Sequence, residues 1–121
     1  LSIRAQLILR FWGATMIRVT GLYRNIAGSK FDFSYYLNTH MPLVKKRMAD
    51  FGMGDFEIER GVEAADGKEA PFICITHMEF TTLDDFRRGL EKHGDELFAD
   101  VPNYTNITPE IQFSKIIKSR E

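Results

Sequence analysis

Apolar and polar residues alternate along Met16–Tyr23, where Ile17, Val19 and Tyr23 are interleaved with Arg18 and Thr20. A period of two predicts a strand with one buried face. Asn25–Ser29, containing Gly28, reads as a turn. From Asp32 the period lengthens. Phe33, Tyr36, Leu37, His40, Val44 and Met48 recur every three or four positions, predicting a helix with Asp32 as its N-cap. Pro42 has no amide to donate and crowds the carbonyl one turn back, so the helix should kink or restart near His40–Pro42. Two glycines in Phe51–Gly54 supply its end. Asp55–Val62 alternates again, with Phe56, Ile58 and Val62 on one face and Glu57 and Glu59 on the other. Glu63–Pro71 is a polar loop carrying the turn dipeptide Asp66-Gly67. Phe72–Phe80 is apolar at Phe72, Cys74, Met78 and Phe80 and also at Ile73 and Ile75, which predicts a central strand covered on both faces. Thr82-Leu83-Asp84-Asp85 has the form of a capping box, and Phe86, Leu90, His93 and Leu97 follow at helical spacing. Val101–Pro109 is irregular and holds two prolines, and Ile111–Ile117 reads as the last strand.

The order βαββαβ, with right-handed crossovers, predicts an α+β domain: a four-stranded antiparallel sheet carrying two helices on one face. The other face then lacks a cover, although the third strand is apolar there too. A second copy of the chain, paired sheet to sheet, would supply it, so a homodimer is expected. The domain is expected to span residues 16–118, with 119–121 as a tail. Residues 1–15 contain no acidic residue and precede Met16, a plausible natural start. They read as a vector-derived or upstream-translated extension outside the functional domain, able to add a strand through the alternation of Ile3, Ala5, Leu7, Leu9 and Phe11.

The 121 residues suffice for one domain. A formal net charge of −1 gives no electrostatic reason to expect nucleic acid or an anionic membrane as partner. No stretch approaches the roughly 18 apolar residues of a membrane-spanning helix. The single cysteine, Cys74, forbids an internal disulfide and suits a reducing compartment, so a cytoplasmic location is expected. Ten phenylalanines are a rich supply for a core or an apolar pocket.

Candidate chemistry rests on three histidines. His40 follows Tyr36 by one helical turn, so both project from one face. His93 lies in the apolar stripe of the second helix and His77 in the central strand. If the helices cover the face to which His77 points, all three approach one cavity between helices and sheet. An imidazole near its ordinary pKa takes or gives a proton at neutral pH, which suits acid–base work on an apolar substrate. The competing reading for each is a buried histidine bonded to backbone. Cys74 reads as a small buried hydrophobe. No short His or Cys spacing suggests zinc, no glycine-rich loop suggests a nucleotide, and no nucleophile elbow suggests a serine hydrolase. Haem needs one protein ligand, for which His40 or His93 would be eligible, but no basic cluster beside a large apolar face accompanies them. No metal, haem or other cofactor is therefore expected.

The run Phe31-Asp32-Phe33-Ser34-Tyr35-Tyr36-Leu37-Asn38-Thr39-His40-Met41-Pro42-Leu43-Val44 resembles the EthD family, named from an ethyl tert-butyl ether degradation cluster. Pro102-Asn103-Tyr104-Thr105-Asn106-Ile107, followed by Pro109, Ile111 and Gln112, resembles that family's C-terminal signature. The resemblance runs from Met16 to about Ile117. It implies a ferredoxin-like fold whose sheets pair into a dimeric α+β barrel, with a cavity between sheet and helices in each subunit. His40 and Tyr36 are then the candidate catalytic residues, and His77, His93, Tyr104 and Asn103 the candidate ligand-binding ones. Two function classes follow. One is a cofactor-free enzyme of cyclase, decarboxylase or isomerase type, acting through His40 on an apolar carbonyl or aromatic compound. The other is a non-catalytic ligand-binding or accessory protein of a degradative pathway, or an oxidoreductase, as family members are often labelled.

Overall fold

Four strands, β1 (Ile17–Arg24), β2 (Met53–Arg60), β3 (Phe72–Phe80) and β4 (Glu110–Lys115), form one antiparallel sheet in the order β2-β3-β1-β4. These are seen in a computed structural model that describes residues 16–119; the N-terminal fifteen residues, with the extension and added strand expected there, lie outside the described residues. β1 and β3 run side by side through the middle, with Val19 opposite Met78, Gly21 opposite Thr76 and Tyr23 opposite Cys74. That face is turned to the helices, and Val19, Cys74, Thr76 and Phe80 on it are fully buried. The opposite face of β3 carries Ile73, Ile75, His77 and Glu79, all half-buried, so the strand is apolar on both sides only over its first half. β2 stops at Arg60, which leaves Val62 91% exposed instead of within a strand face. β4 stops at Lys115, opposite the first residue of β1, and Ile117 beyond it is 92% exposed.

The first helical stretch has three parts. Asp32 accepts the Tyr35 amide at 3.0 Å and caps α1 (Phe33–Tyr35). A single wide π turn follows over Tyr36–His40, in which the Met41 amide donates to the Tyr36 carbonyl five residues back. The chain then returns to α geometry in α2 (Met41–Met48), with Pro42 in its first turn. The interruption expected at Pro42 thus takes a definite form. Proline offers no N–H to the carbonyl four residues earlier and its ring would strike it; widening the preceding turn removes both conflicts. A 3-10 turn, Ala49–Phe51, and a left-handed Gly52 (φ 78°) end the stretch.

The second helix, α3 (Leu83–Ala99), is capped by Thr82, whose hydroxyl accepts the Asp85 amide at 3.0 Å. The Asp85 carboxylate does not return to the Thr82 amide; it takes the Thr81 hydroxyl at 2.5 Å and pairs with Arg88. The buried face of α3 is Phe86, Gly89, Gly94 and Leu97, with Leu90 packed against the core beside them, so Phe86, Leu90 and Leu97 of the expected stripe face inward and His93 stands half-buried at its flank. Gly89 lies against α2. A Cβ there would lie 2.5 Å from Met48 Cε and 3.1 Å from Phe51 Cβ, so the glycine lets α2 and α3 cross closely. Gly89→Ala is expected to lower stability by about 1–3 kcal/mol through overpacking, read from the denaturant midpoint. An unchanged midpoint would mean that Met48 swings aside without cost.

Candidate active site

The long loop after α3 carries one wall of the site. A 3-10 turn, Val101–Asn103, returns the chain so that the Tyr104 amide reaches the Val101 carbonyl at 3.0 Å. The loop is then tied to the segment before α1. The Asp32 amide donates to the Tyr104 carbonyl at 2.7 Å, the Thr105 hydroxyl to the Lys30 carbonyl at 2.6 Å, and Asn106 bonds the Lys30 amide and the Gly28 carbonyl, each at 2.9 Å. Tyr104 is thereby held, only 3% exposed, against the π turn.

Between these helices and the sheet lies a cavity of about 80 Å³. Its lining is apolar except for His40 and three tyrosines, Tyr23, Tyr36 and Tyr104; Phe98 and Ile111, 48% and 41% exposed, stand at its edge. Tyr36 and His40 stack with ring centroids 5.5 Å apart, and His40 lies 4.5 Å from the Tyr104 ring. The tyrosine hydroxyls are paired: Tyr104 with Tyr23 at 2.7 Å, and Tyr36 with the Thr76 hydroxyl at 2.6 Å.

His40 Nδ1 is 2.9 Å from Asp100 Oδ2, and its Nε2 is 3.4 Å from the Tyr104 hydroxyl. Asp100 is itself held from behind, its Oδ1 accepting from the Tyr35 hydroxyl at 2.6 Å and from Asn103 Nδ2 at 3.0 Å. Burial lowers the His40 pKa below its ordinary value, and the opposing pull of the carboxylate does not restore it. Burial acts to raise Asp100, but the bonds from Tyr35, Asn103 and His40 outweigh it and hold the carboxyl below its usual range. The pair is therefore a neutral imidazole donating Nδ1–H to a carboxylate, which leaves Nε2 with a free lone pair beside the cavity. Its contact with Tyr104 is long for a hydrogen bond, so that lone pair is only loosely engaged. Burial also raises the pKa values of Tyr23, Tyr36 and Tyr104, keeping all three as phenols able to donate. Burial pushes the Cys74 thiol up to about 11, so it stays protonated as an inert core group.

Of the residues singled out from sequence, Tyr36, His40 and Tyr104 are brought together at the cavity. Asn103 is not in its wall; it stands behind Asp100. His77 points to the helix-free face of the sheet, 3.3 Å from the Thr20 hydroxyl and 3.4 Å from Glu59 Oε1. His93 packs edge-on against Phe51 at 5.9 Å, outside the cavity. The three histidines therefore do not converge. The residues missed were Asp100, Tyr35 and Tyr23. One signal for Asp100 existed, because a carboxylate at a helix C-terminus opposes the helix dipole and needs another reason to be there. Among the described residues, no three His, Cys, Asp or Glu side chains cluster closely enough to hold a metal ion, and no helix is long and apolar enough to cross a membrane.

Fold and site define a ferredoxin-like α+β domain in which a histidine–carboxylate pair faces an apolar cavity between helices and sheet. The model of the EthD domain matches residues 29–108, a span holding the π turn, α3 and the Asp100–Tyr104 segment, and the chain belongs to the EthD family. A crystal structure of an EthD-like protein from Ralstonia eutropha JMP134 is similar at 30% identity and a TM-score of 0.82, over 88% of this chain and 96% of that one. An EthD family protein from Bacillus halodurans C-125 shares the fold at 17% identity and a TM-score of 0.59, over 84% and 99%. The hydroxynitrile lyase of Passiflora edulis does so at 11% identity and a TM-score of 0.54, over 89% and 99%. No curated protein matches the chain.

Proposed function

We propose that the protein binds an apolar carbonyl or aromatic compound in the helix–sheet cavity and moves a proton on it, with His40 as acid and base and no cofactor. The observation that carries this reading is the line Asp100–His40–Tyr104 opening onto an apolar cavity. Asp100 holds the imidazole in the tautomer whose Nε2 faces the ligand. Nε2 takes a proton from the carbon beside a carbonyl, and the electron pair of the broken C–H bond moves onto the carbonyl oxygen. The Tyr104 phenol supports that developing negative charge by donating a hydrogen bond. The imidazolium returns its proton to carbon or oxygen, which completes an isomerisation or a cyclisation. A shared fold does not choose between these.

The chain is further proposed to act as a homodimer closed through the helix-free sheet faces, with the Cys74 thiol suited to a reducing cytoplasm.

Proton transfer is tested by deuterium exchange. Enolisable ketones, aryl alkyl ketones and lactones in D₂O are followed by NMR with wild-type protein and His40→Gln. Wild-type protein should wash deuterium into the position beside the carbonyl of at least one of them, and His40→Gln should do so about 10²–10⁴ times more slowly. Binding without any exchange would leave the ligand-binding or accessory role, and equal exchange by the two proteins would remove His40 from the chemistry.

A further inference from the structure

Gly21 sits in the middle of the central strand β1, opposite Thr76 of β3 and Ile111 of β4, and forms part of the cavity wall. Glycine weakens a strand interior, so a buried one there needs a reason. Three structural reasons are usual, and none operates. Among the described residues the glycines with positive φ are Gly28, Gly52 and Gly67, so Gly21 has a backbone that any residue adopts. The register of β1 against β3 is unbroken from Ile17 to Tyr23, so there is no bulge at Gly21. No close approach requires it either, since a Cβ built at Gly21 meets only Tyr23 Cε2, at an ordinary 3.9 Å. At Gly89, by contrast, the place of the missing Cβ is taken by Met48. At Gly21 nothing among the described residues takes it, and the space belongs to the cavity.

We propose that Gly21 sets the size of the ligand, and that the ligand is a compact neutral molecule, no larger than about one ring, with a single hydrogen-bonding group; this rests on the cavity being the ligand site. Neutrality follows from the wall. Its polar groups are His40 and three phenols, and no Lys, Arg, Asp or Glu lines it among the described residues. A carboxylate or ammonium group would be buried there without a counter-charge. Size follows from volume. A dry cavity of about 150 Å³ admits benzene, and this one is about 80 Å³ and opens past Phe98 and Ile111, so a single ring fills it and already reaches that edge. A methyl group at position 21 would remove a substantial part of that space.

The test is a graded series, cyclopentanone, cyclohexanone, acetophenone and 2-acetylnaphthalene, with benzaldehyde against benzoate for charge, titrated into ¹⁵N-labelled protein. Wild-type protein should bind the single-ring ketones, bind the naphthyl compound at least tenfold more weakly, and prefer benzaldehyde to benzoate at least tenfold. Gly21→Ala should melt at the same or a higher temperature. It should lose at least tenfold affinity for the largest ligand that wild-type protein accepts and keep cyclopentanone within threefold. Nuclear Overhauser contacts from bound cyclohexanone to the two Gly21 Hα protons of wild-type protein give a readout that needs no variant to fold. Unchanged selectivity in Gly21→Ala, an equal loss for every ligand, a missing Gly21 contact, or benzoate binding as well as benzaldehyde would overturn the proposal. If wild-type protein binds no member of the series, the cavity is not the ligand site and this inference falls with that reading.

Discussion

Asp100→Asn is expected to lower turnover by about 10³-fold while ligand affinity stays within a few-fold. The same exchange behind a catalytic histidine in serine proteases costs about 10⁴ by favouring the wrong tautomer. Here the carboxylate accepts from His40 Nδ1 at 2.9 Å, which puts the proton on Nδ1 and the lone pair on Nε2. An asparagine amide placed there can donate to Nδ1, so the proton moves to Nε2 and the base is lost. Ligand affinity is spared because Asp100 does not line the cavity. A second readout separates this positioning role from a loss of packing. In wild-type protein the rate follows the fraction of neutral His40, so it is sustained at neutral pH and falls only as pH drops through the lowered His40 pKa. The Asp100 carboxylate is the one group acting to raise that pKa; without it burial acts unopposed, and the acid limb of the residual activity moves to lower pH still. A limb that stays in place, or moves to higher pH, would show that Asp100 is only a structural partner of Tyr35 and Asn103.

The sheet and helices were legible because each has a face to bury, and burial writes its period into the sequence. Tyr36 and His40 were legible as a pair for the same reason, being four residues apart. Pro42 announced an interruption without its form, since a kink, a restart and a π turn all satisfy a missing amide. His93 was misplaced because glycine carries no hydropathy signal. Gly89, next to it on the buried line of α3, admits Met48 and Phe51, and His93 packs on Phe51 instead of reaching the cavity. His77 was undecided because β3 is apolar on both sides of its first half, so parity alone cannot say which side faces the helices. Only the register with Thr20 and Glu57 places it. Asp100 was invisible as a partner of His40 because sixty residues separate them and no periodicity spans a loop. The tie between the 101–109 loop and the segment before α1 has the same origin, and it gives a physical reason for the Asn103-Tyr104-Thr105-Asn106 run. Each of those side chains holds either the other segment or Asp100, or stands in the cavity.

Ile75→Asp is expected to convert the proposed homodimer to monomers, a change from about twice 14.0 kDa to 14.0 kDa by light scattering at micromolar concentration. Ile75 lies mid-strand in β3 on the helix-free face, opposite Leu22 of β1 and Glu59 of β2. In a single chain that side chain is half-buried, with no helix over it among the described residues, so a carboxylate there remains hydrated and the fold should survive. Covered by a second sheet, the same carboxylate would lose its water and stand beside Glu59 with no opposite charge. An uncompensated buried charge costs about 3–5 kcal/mol. Two-fold symmetry places one in each subunit, so association should weaken by roughly 10⁴-fold or more at 1.4 kcal/mol per factor of ten. Arg18, on the same face, belongs to the same interface. Its Nε is buried without a hydrogen-bond partner among the described residues, and an acceptor from the second copy would satisfy it. Arg18→Met should therefore weaken the dimer less than Ile75→Asp, since it removes a donor without adding a charge. A wild-type protein that runs as a clean monomer would sink the dimer outright. A wild-type dimer untouched by Ile75→Asp would move the interface to the β4 edge, where Ile111 and Phe113 stand 41% and 42% exposed.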